Sequence, residues 1–375
     1  MTAKELIDPV QLTCELVEIP SESSDPQHTP GPFPEQGIVE HLRSLADQFG
    51  LAGEISEALP GRTNFMVRFK QDGAPKLLIT AHMDTVSTRG MTDPFSARIV
   101  GNYLYGRGSC DDKGPLASAL AALLNLRISG RPQAYDVIFA ATVDEECSMS
   151  GASKLAEMLP PLDLCLALEP TGLQIIHAHK GVYRFRVVTR GKAVHSSAPE
   201  KGCNAIDLML PILQDINEYG RRIARRSNPE LGNACLSITR LHGGTSINII
   251  PDICEAGVDI RLLPEMTPER TAAEIMEIVG GRGEDEPVFE GSGIRTAMDH
   301  PIIFALQRQL ELENLDTGAI TAAFATDCSK LSRLGPCIVW GPGSIDQAHK
   351  IDERIDIRQI RTGEKILRCF LTKSS

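Results

Sequence analysis

The 375-residue chain has no apolar stretch long enough to cross a bilayer; its longest apolar run, Leu116–Leu124, falls far short of a membrane span. Its opening residues, MTAKELIDPVQLTCELVEIPSESS, show no basic segment followed by an apolar core, so no signal peptide is expected. The ten cysteines (Cys14, Cys110, Cys147, Cys165, Cys203, Cys235, Cys254, Cys328, Cys337 and Cys369) form no C-x-x-C pair. In a chain of this length they read as reduced, mostly buried small hydrophobes and not as a disulfide framework. Positive charge is not in excess: 49 acidic against 38 basic residues give a net charge of −11. That balance excludes nucleic acid and anionic membrane as general partners. There is no internal repeat and no low-complexity tract. A soluble, cytoplasmic globular protein is expected, and the composition, 42% hydrophobic and 23% charged, agrees. The length exceeds one ordinary core and predicts two domains.

Apolar residues at helical spacing (Leu6, Val10, Leu12, Leu16, Val17) predict a helix over residues 3–19, ended by Pro20. Residues 23–36 carry Pro26, Pro30, Pro32 and Pro34, which predicts a surface loop. A second helix is expected from Gln36 to Phe49, stopped by Gly50. Strands at 64–70, 76–82, 135–143 and 162–168 then alternate with helices at 115–126 and 151–158. DVIFAATV is continuously apolar after its first residue, as befits a strand buried on both faces. This alternation predicts an α/β domain with a mostly parallel sheet flanked by helices.

The pattern changes after Lys180. VYRFRVVT (182–189) alternates apolar and polar residues, so one face is wet. A helix follows from Asn204, a good N-cap, to Arg226, with Pro211 inside it. Strands at 234–241 and 253–262, a helix at 268–279 and a strand near 286–290 complete the order β-α-β-β-α-β. That order predicts a ferredoxin-like α+β unit. PCIVWG (336–341) is again a buried strand. Residues 180–292 therefore read as a domain inserted in a first domain made of 1–179 and 293–375.

Four segments place potential metal ligands at the ends of predicted strands, where open α/β sheets build their sites. In LLITAHMDT, His82 and Asp84 are two residues apart and project to one side; alone, such a pair is common and weak. In YGRGSCDDKGPLAS, glycines permit a tight turn that leaves Asp111 and Asp112 at a helix N-terminus, where carboxylates are favoured even without a metal. In TVDEECS, Asp144, Glu145 and Glu146 end a strand. Neighbouring side chains on extended backbone point in opposite directions. One glutamate can then bind metal while the other acts as a general base on water. In LCLALEPTG, Glu169 ends an apolar strand. His349, in GPGSIDQAHKIDE, is a fifth candidate that in isolation reads as a surface histidine. Together these residues suit two zinc ions, each with one histidine and carboxylate oxygens. Cys110 and Cys147 flank the acids and read as packing residues.

The stretches ITAHMDTV, LYGRGSCDDKGPLA, TVDEECSMSGA, ALEPTGLQIIHAHKG, GKAVHSSAPEKGCNAI, VDIRLLP and GPGSIDQAHKIDE run in order from about residue 77 to the end. They resemble the aminoacylase and carboxypeptidase-G type dinuclear zinc amidohydrolases. HAHKG, HSS and GPGSIDQAH favour the acetylornithine deacetylase branch; succinyl-diaminopimelate desuccinylase shares the metal motifs but fits these segments less well. The resemblance implies a zinc-exopeptidase-like catalytic domain and an inserted lid or dimerisation domain, hence a homodimer.

It further implies that His82, Asp111 and Glu169 bind one zinc and Asp111, Glu146 and His349 the other, with Asp111 bridging and cobalt an acceptable substitute. Asp84 would orient His82, Glu145 would be the general base, and the Asp111–Asp112 bond would be cis. His195 would stabilise the oxyanion, Asn248 and Arg261 would hold a substrate carboxylate, and Gly343 and Ser344 would add loop contacts. The implied reaction removes an N-acyl group from a small amino acid, foremost the acetyl group of N-acetyl-L-ornithine, a step of arginine biosynthesis. Other readings are desuccinylation, general aminoacylase or dipeptidase action, and an inactive dimeric binding relative; the last is disfavoured because Glu145 and every ligand are present. Residues 23–36 match no motif of the family, and FATDCSKLS matches its substrate loop only loosely.

Overall fold

A computed structural model of the chain describes residues 5–23 and 35–373. The chain forms two compact units, one of Met1–His177, Arg295–Ile320 and Thr326–Ser375, the other of Ala178–Ile294 and Thr321–Ala325. The second unit thus begins at Ala178 and ends at Ile294, where residues 180 and 292 were expected. It also takes in Thr321–Ala325, which the sequence division left in the first.

In the first unit, a mixed sheet orders its strands Gly53–Leu59, Arg62–Phe69, Asp136–Thr142, Lys76–His82, Leu164–Ala167, Cys337–Val339 and Ile175–His179. The four from Asp136–Thr142 to Cys337–Val339 run parallel. Antiparallel neighbours flank them on both sides. Parallel strands need crossovers, and helices Lys113–Ser129 and Ser150–Met158 supply two of them. Helix Lys113–Ser129 is buried on every side up to Leu126, between the sheet and helices Pro9–Val17 and Ile357–Leu371. An all-round apolar surface suits only such a core position. Leu116, Leu120, Leu123 and Leu124 pack there with Leu77, Ile79, Phe139 and Leu166. Each such leucine contributes about 1.5–3 kcal/mol relative to exposure.

The opening helix begins later than the apolar spacing predicts, at Pro9. Asp8 caps it, its Oδ1 accepting from the Val10 amide at 3.0 Å, and proline suits the first turn. Residues 24–34 of the expected proline-rich loop lie outside the described residues. A small antiparallel sheet of Arg98–Val100, Tyr103–Tyr105 and Arg354–Asp356 was not foreseen. Its strands are three residues long, too short for periodicity to announce them, and Arg354–Asp356 joins the hairpin of the other two from far along the chain. No disulfide joins the ten cysteines; Cys110, Cys165, Cys254, Cys328 and Cys337 are buried, whereas Cys203 and Cys235 are exposed. Burial was expected for most of them, and it holds for these five. Among the described residues no helix is long and apolar enough to cross a membrane.

The second unit has the element order Gly181–Arg190, helix Ala205–Ile223, Cys235–Gly243, Ile253–Leu262, helix Pro268–Val279, Glu284–Gly291. Its sheet is antiparallel throughout, in the order Cys235–Gly243, Ile253–Leu262, Gly181–Arg190, Glu284–Gly291. This is the ferredoxin-like arrangement. Tyr183, Phe185, Val187, Ala256, Val258 and Ile260 form the apolar face, packed in one core with Met209, Ile212, Ile216 and Ile275 of the two helices. The opposite face carries ion pairs such as Arg184–Asp259 and Arg186–Glu255. The first helix is capped by Asn204, whose Oδ1 accepts from the Ile206 amide, and it runs through Pro211 without a break.

Candidate metal centre

The carboxyl ends of three of the parallel strands carry His82, Glu146 and Glu169, while Asp111 comes from the turn before helix Lys113–Ser129 and His349 from the loop beyond Cys337–Val339. Strand Lys76–His82 ends on His82 itself. Its neighbours end at Thr142 and Ala167, just before the Asp144–Glu146 turn and Glu169. The turn before helix Lys113–Ser129 brings Asp111 under His82: His82 Nε2 lies 3.0 Å from Asp111 Oδ1. His349 Nε2 lies 3.4 Å from Asp111 Oδ2 and 3.1 Å from Glu146 Oε2. One carboxylate therefore faces two histidines, each through a different oxygen. Ligand atoms of His82, Asp111 and Glu146 all lie within 4.8 Å of one another. The peptide bond between Asp111 and Asp112 is cis.

Asp84 is fully buried and does two things. Its backbone oxygen is 2.9 Å from His82 Nδ1 and its Oδ1 3.6 Å from the same atom. Its carboxylate also accepts from the amides of Glu145, at 3.1 Å, and Glu146, at 3.2 Å. Here the structure differs from the strand-alternation argument. Glu145 and Glu146 stand in a turn beyond the strand, entered through Asp144 at φ +68°, and Asp84 caps that turn. Turn geometry, not the pleat, separates the two side chains: Glu146 meets His349, while Glu145 lies close enough to Glu169 to feel its charge.

The electrostatics follow from burial. Desolvation pushes the carboxyls of Glu145 and Glu169 well up, and neighbouring acids, Glu169 for the first and Asp111 for the second, add to it. Burial works against a charged His82, but hydrogen bonding to Asp111 and Asp84 wins and raises it well above the usual imidazole value. Burial would likewise raise Asp111, yet the hydrogen bonds from His349 and His82 hold it below the ordinary carboxylate range. Hydrogen bonds to Asp111 and Glu146 push His349 up to about 10. The cluster thus holds more buried carboxylates than its two histidines can neutralise. A buried unpaired carboxylate is costly, and a divalent cation offsets that cost. Imidazole and carboxylate together are the donor set of open, catalytic zinc sites. The residues fit a metal.

Three contributors were not singled out from the sequence. Arg62, on the antiparallel strand Arg62–Phe69, pairs with Glu35 and donates to Asp144 at 2.6 Å, holding the turn from behind. Asp327 is buried; its Oδ2 accepts from Thr142 Oγ1 at 2.7 Å, and burial pushes it up to about 7. Glu353 accepts from the Cys110 and Asp111 amides. The only signal for it was the acid closing HKIDE. Gly343 and Ser344 lie against the ligand turn: a Cβ on Gly343 would meet Cys110 Sγ at 2.8 Å, and the Ser344 carbonyl accepts from the Cys110 thiol.

The second unit carries His195, Asn248 and Arg261. His195 is exposed, bonded through Nδ1 to Ser197 Oγ at 2.7 Å. Its two-residue strand pairs with Ile249–Ile250, and the Ser196 amide donates to the Asn248 carbonyl, so His195 and Asn248 are neighbours. Arg261 stands on the charged face of the sheet, its Nε donating to Asp259 at 2.8 Å.

Residues 78–373 match the model of peptidase family M20/M25/M40. The chain belongs to that family. By family it is a metallohydrolase. It is 32% identical over 337 residues to acetylornithine deacetylase of Vibrio cholerae, with 85% of this chain and 87% of that protein covered. An M20 family metallo-carboxypeptidase of Sulfolobus solfataricus has a similar structure (TM-score 0.79, 17% identity, 98% and 99% of the two chains). So does a dinuclear metal binding peptidase of the same family from Bacillus subtilis (TM-score 0.67, 18% identity, 97% and 96%). At these identities the two structures speak for the shared fold.

Proposed function

We propose that the chain is a zinc-dependent N-acyl-amino-acid amidohydrolase that converts N-acetyl-L-ornithine to ornithine and acetate. The observation that carries this reading is the convergence of His82, Asp111, Glu146 and His349 at one end of the parallel strands, in a chain about one third identical to acetylornithine deacetylases. Two zinc ions per chain would be held, one by His82, Asp111 and Glu169 and the other by Asp111, Glu146 and His349. Cobalt would serve in their place. The separate engagement of the two Asp111 oxygens, by His82 and by His349, supports a bridging role. When bound, such ions act as Lewis acids and bring the pKa of a water to roughly 7.

The remaining chemistry belongs to the chain. Glu145, held by its amide on Asp84, takes the proton of the attacking water and returns it to the leaving amine. Asp84 fixes the ring of His82. His195 donates to the developing oxyanion. Asn248 and Arg261 hold the substrate carboxylate, for which a guanidinium fork is suited. Gly343 and Ser344 complete the substrate contacts. The ferredoxin-like unit serves as lid and dimerisation element of a cytoplasmic homodimer in arginine biosynthesis.

The test is a substrate panel on purified protein: N-acetylornithine, N-succinyl-diaminopimelate, other N-acyl amino acids and dipeptides, each with and without chelator. The highest kcat/KM is expected on N-acetylornithine, abolished by chelation and restored by zinc or cobalt. A higher kcat/KM on another member reassigns the substrate. Activity indifferent to chelation defeats the metal chemistry.

A further inference from the structure

We infer that Glu353 is a positioning residue of the metal centre: it locks the turn that presents Asp111 to the segment that presents His349. The inference rests on the metal reading above. Glu353 is buried at the head of strand Arg354–Asp356. Both of its oxygens are fully used. Oε1 accepts from the Cys110 amide at 2.9 Å and the Asp111 amide at 3.1 Å. Oε2 accepts from the Gly108 amide at 3.0 Å and from Arg107 Nη1 at 2.6 Å. Its backbone carbonyl accepts from the Gly106 amide at 3.2 Å.

Three amides of one turn converge on this carboxylate. That turn has little freedom otherwise: Gly108 sits at φ +80°, and a Cβ there would meet Thr85 Cγ2 at 2.8 Å. His349 lies four positions before Glu353 on the same segment, and its ring reaches Asp111 Oδ2. One side chain therefore ties together two ligands far apart in sequence. Arg107, buried and also bonded to the Ser87 carbonyl at 3.0 Å, neutralises Glu353. The carboxylate is thereby committed to the turn and is not itself a ligand.

Glutamine is nearly isosteric but replaces one oxygen by a donor, which would confront two donors of the turn. The experiment titrates metal-free wild type, Glu353→Gln and Glu364→Gln with zinc or cobalt by calorimetry. It also follows the visible spectrum of the cobalt-loaded proteins. Glu364 is the control: it is buried in the same unit and bonded to Asn125 and Arg368, away from any ligand segment. Glu353→Gln is expected to weaken metal binding roughly 10- to 100-fold and to alter the cobalt spectrum. Glu364→Gln is expected to lower the melting temperature while keeping wild-type affinity. Wild-type affinity in Glu353→Gln overturns the inference. So does an equal loss of affinity in Glu364→Gln at a matched fall in melting temperature. If Glu353→Gln does not fold, Glu353→Asp keeps the charge but falls one methylene short; wild-type affinity in that variant overturns the inference as well. Wild-type protein that binds neither metal overturns the metal reading itself, and this inference with it.

Discussion

Asp84→Asn isolates what one buried carboxylate contributes without changing its shape. In the native site both oxygens are engaged, Oδ1 by the Glu145 amide at 3.1 Å and Oδ2 by the Glu146 amide at 3.2 Å, with His82 Nδ1 3.6 Å from Oδ1. An asparagine can accept only one of the two amides. Its NH2 group faces the other, which is left buried and unsatisfied. That defect costs about 1–3 kcal/mol. At about 1.4 kcal/mol per tenfold it corresponds to roughly a 5- to 140-fold change in an equilibrium constant. The turn it loosens carries Glu146, a proposed ligand, and Glu145, the proposed base. The loss is therefore expected in metal affinity and in kcat, with KM little changed. Calorimetric metal titration and steady-state kinetics at saturating zinc measure the two. A variant that merely melts earlier, with wild-type metal affinity and turnover, would refute this reasoning and reduce Asp84 to a turn cap.

Glu145→Gln should keep both metals, by metal counting, and lose turnover by about 10²- to 10⁴-fold; retained activity removes Glu145 from its role. His349→Ala should lose one metal equivalent of two, since its ring is the only imidazole proposed for that ion; unchanged stoichiometry would sink the assignment. The metal-free protein should lose stability as pH rises. The folded pKa of His349, about 10, stands above its ordinary 6.5, so its contribution is complete below about 6.5 and gone above about 10. Glu145 and Glu169, also raised, act in the same direction. Thermal melts of the metal-free protein between pH 6 and 10 should show this fall, shallower in His349→Ala, and added zinc should reverse it. A flat profile contradicts the geometry.

Much of the fold was legible because periodicity and punctuation are local. Lys76–His82, Ile253–Leu262 and helix Pro268–Val279 have the predicted limits, and Asn204 caps the helix it was expected to cap. Arg62–Phe69 was expected as a strand over 64–70, but the three-residue strands of the small antiparallel sheet and the outer strands Gly53–Leu59 and Ile175–His179 were not legible, being too short or too weakly alternating for periodicity to mark them. The same divide runs through the site. Residue type and position at strand ends were enough to nominate His82, Asp84, Glu145, Glu146 and Glu169, because a parallel sheet gathers its strand ends at one edge. Asp111 and His349, in a turn and a loop off those strands, were set apart from Asp112 and from a surface histidine by the motifs around them. The sequence could not say that Glu145 and Glu146 diverge through a turn capped by Asp84, nor that Asp111 divides its two oxygens between two histidines. Nor could it find Arg62, Asp327 and Glu353, which hold the site by hydrogen bonds to turns and strands remote in sequence. Those roles are set by three-dimensional contact. A buried carboxylate acquires its function from the donors that surround it, and only the folded chain brings those donors together.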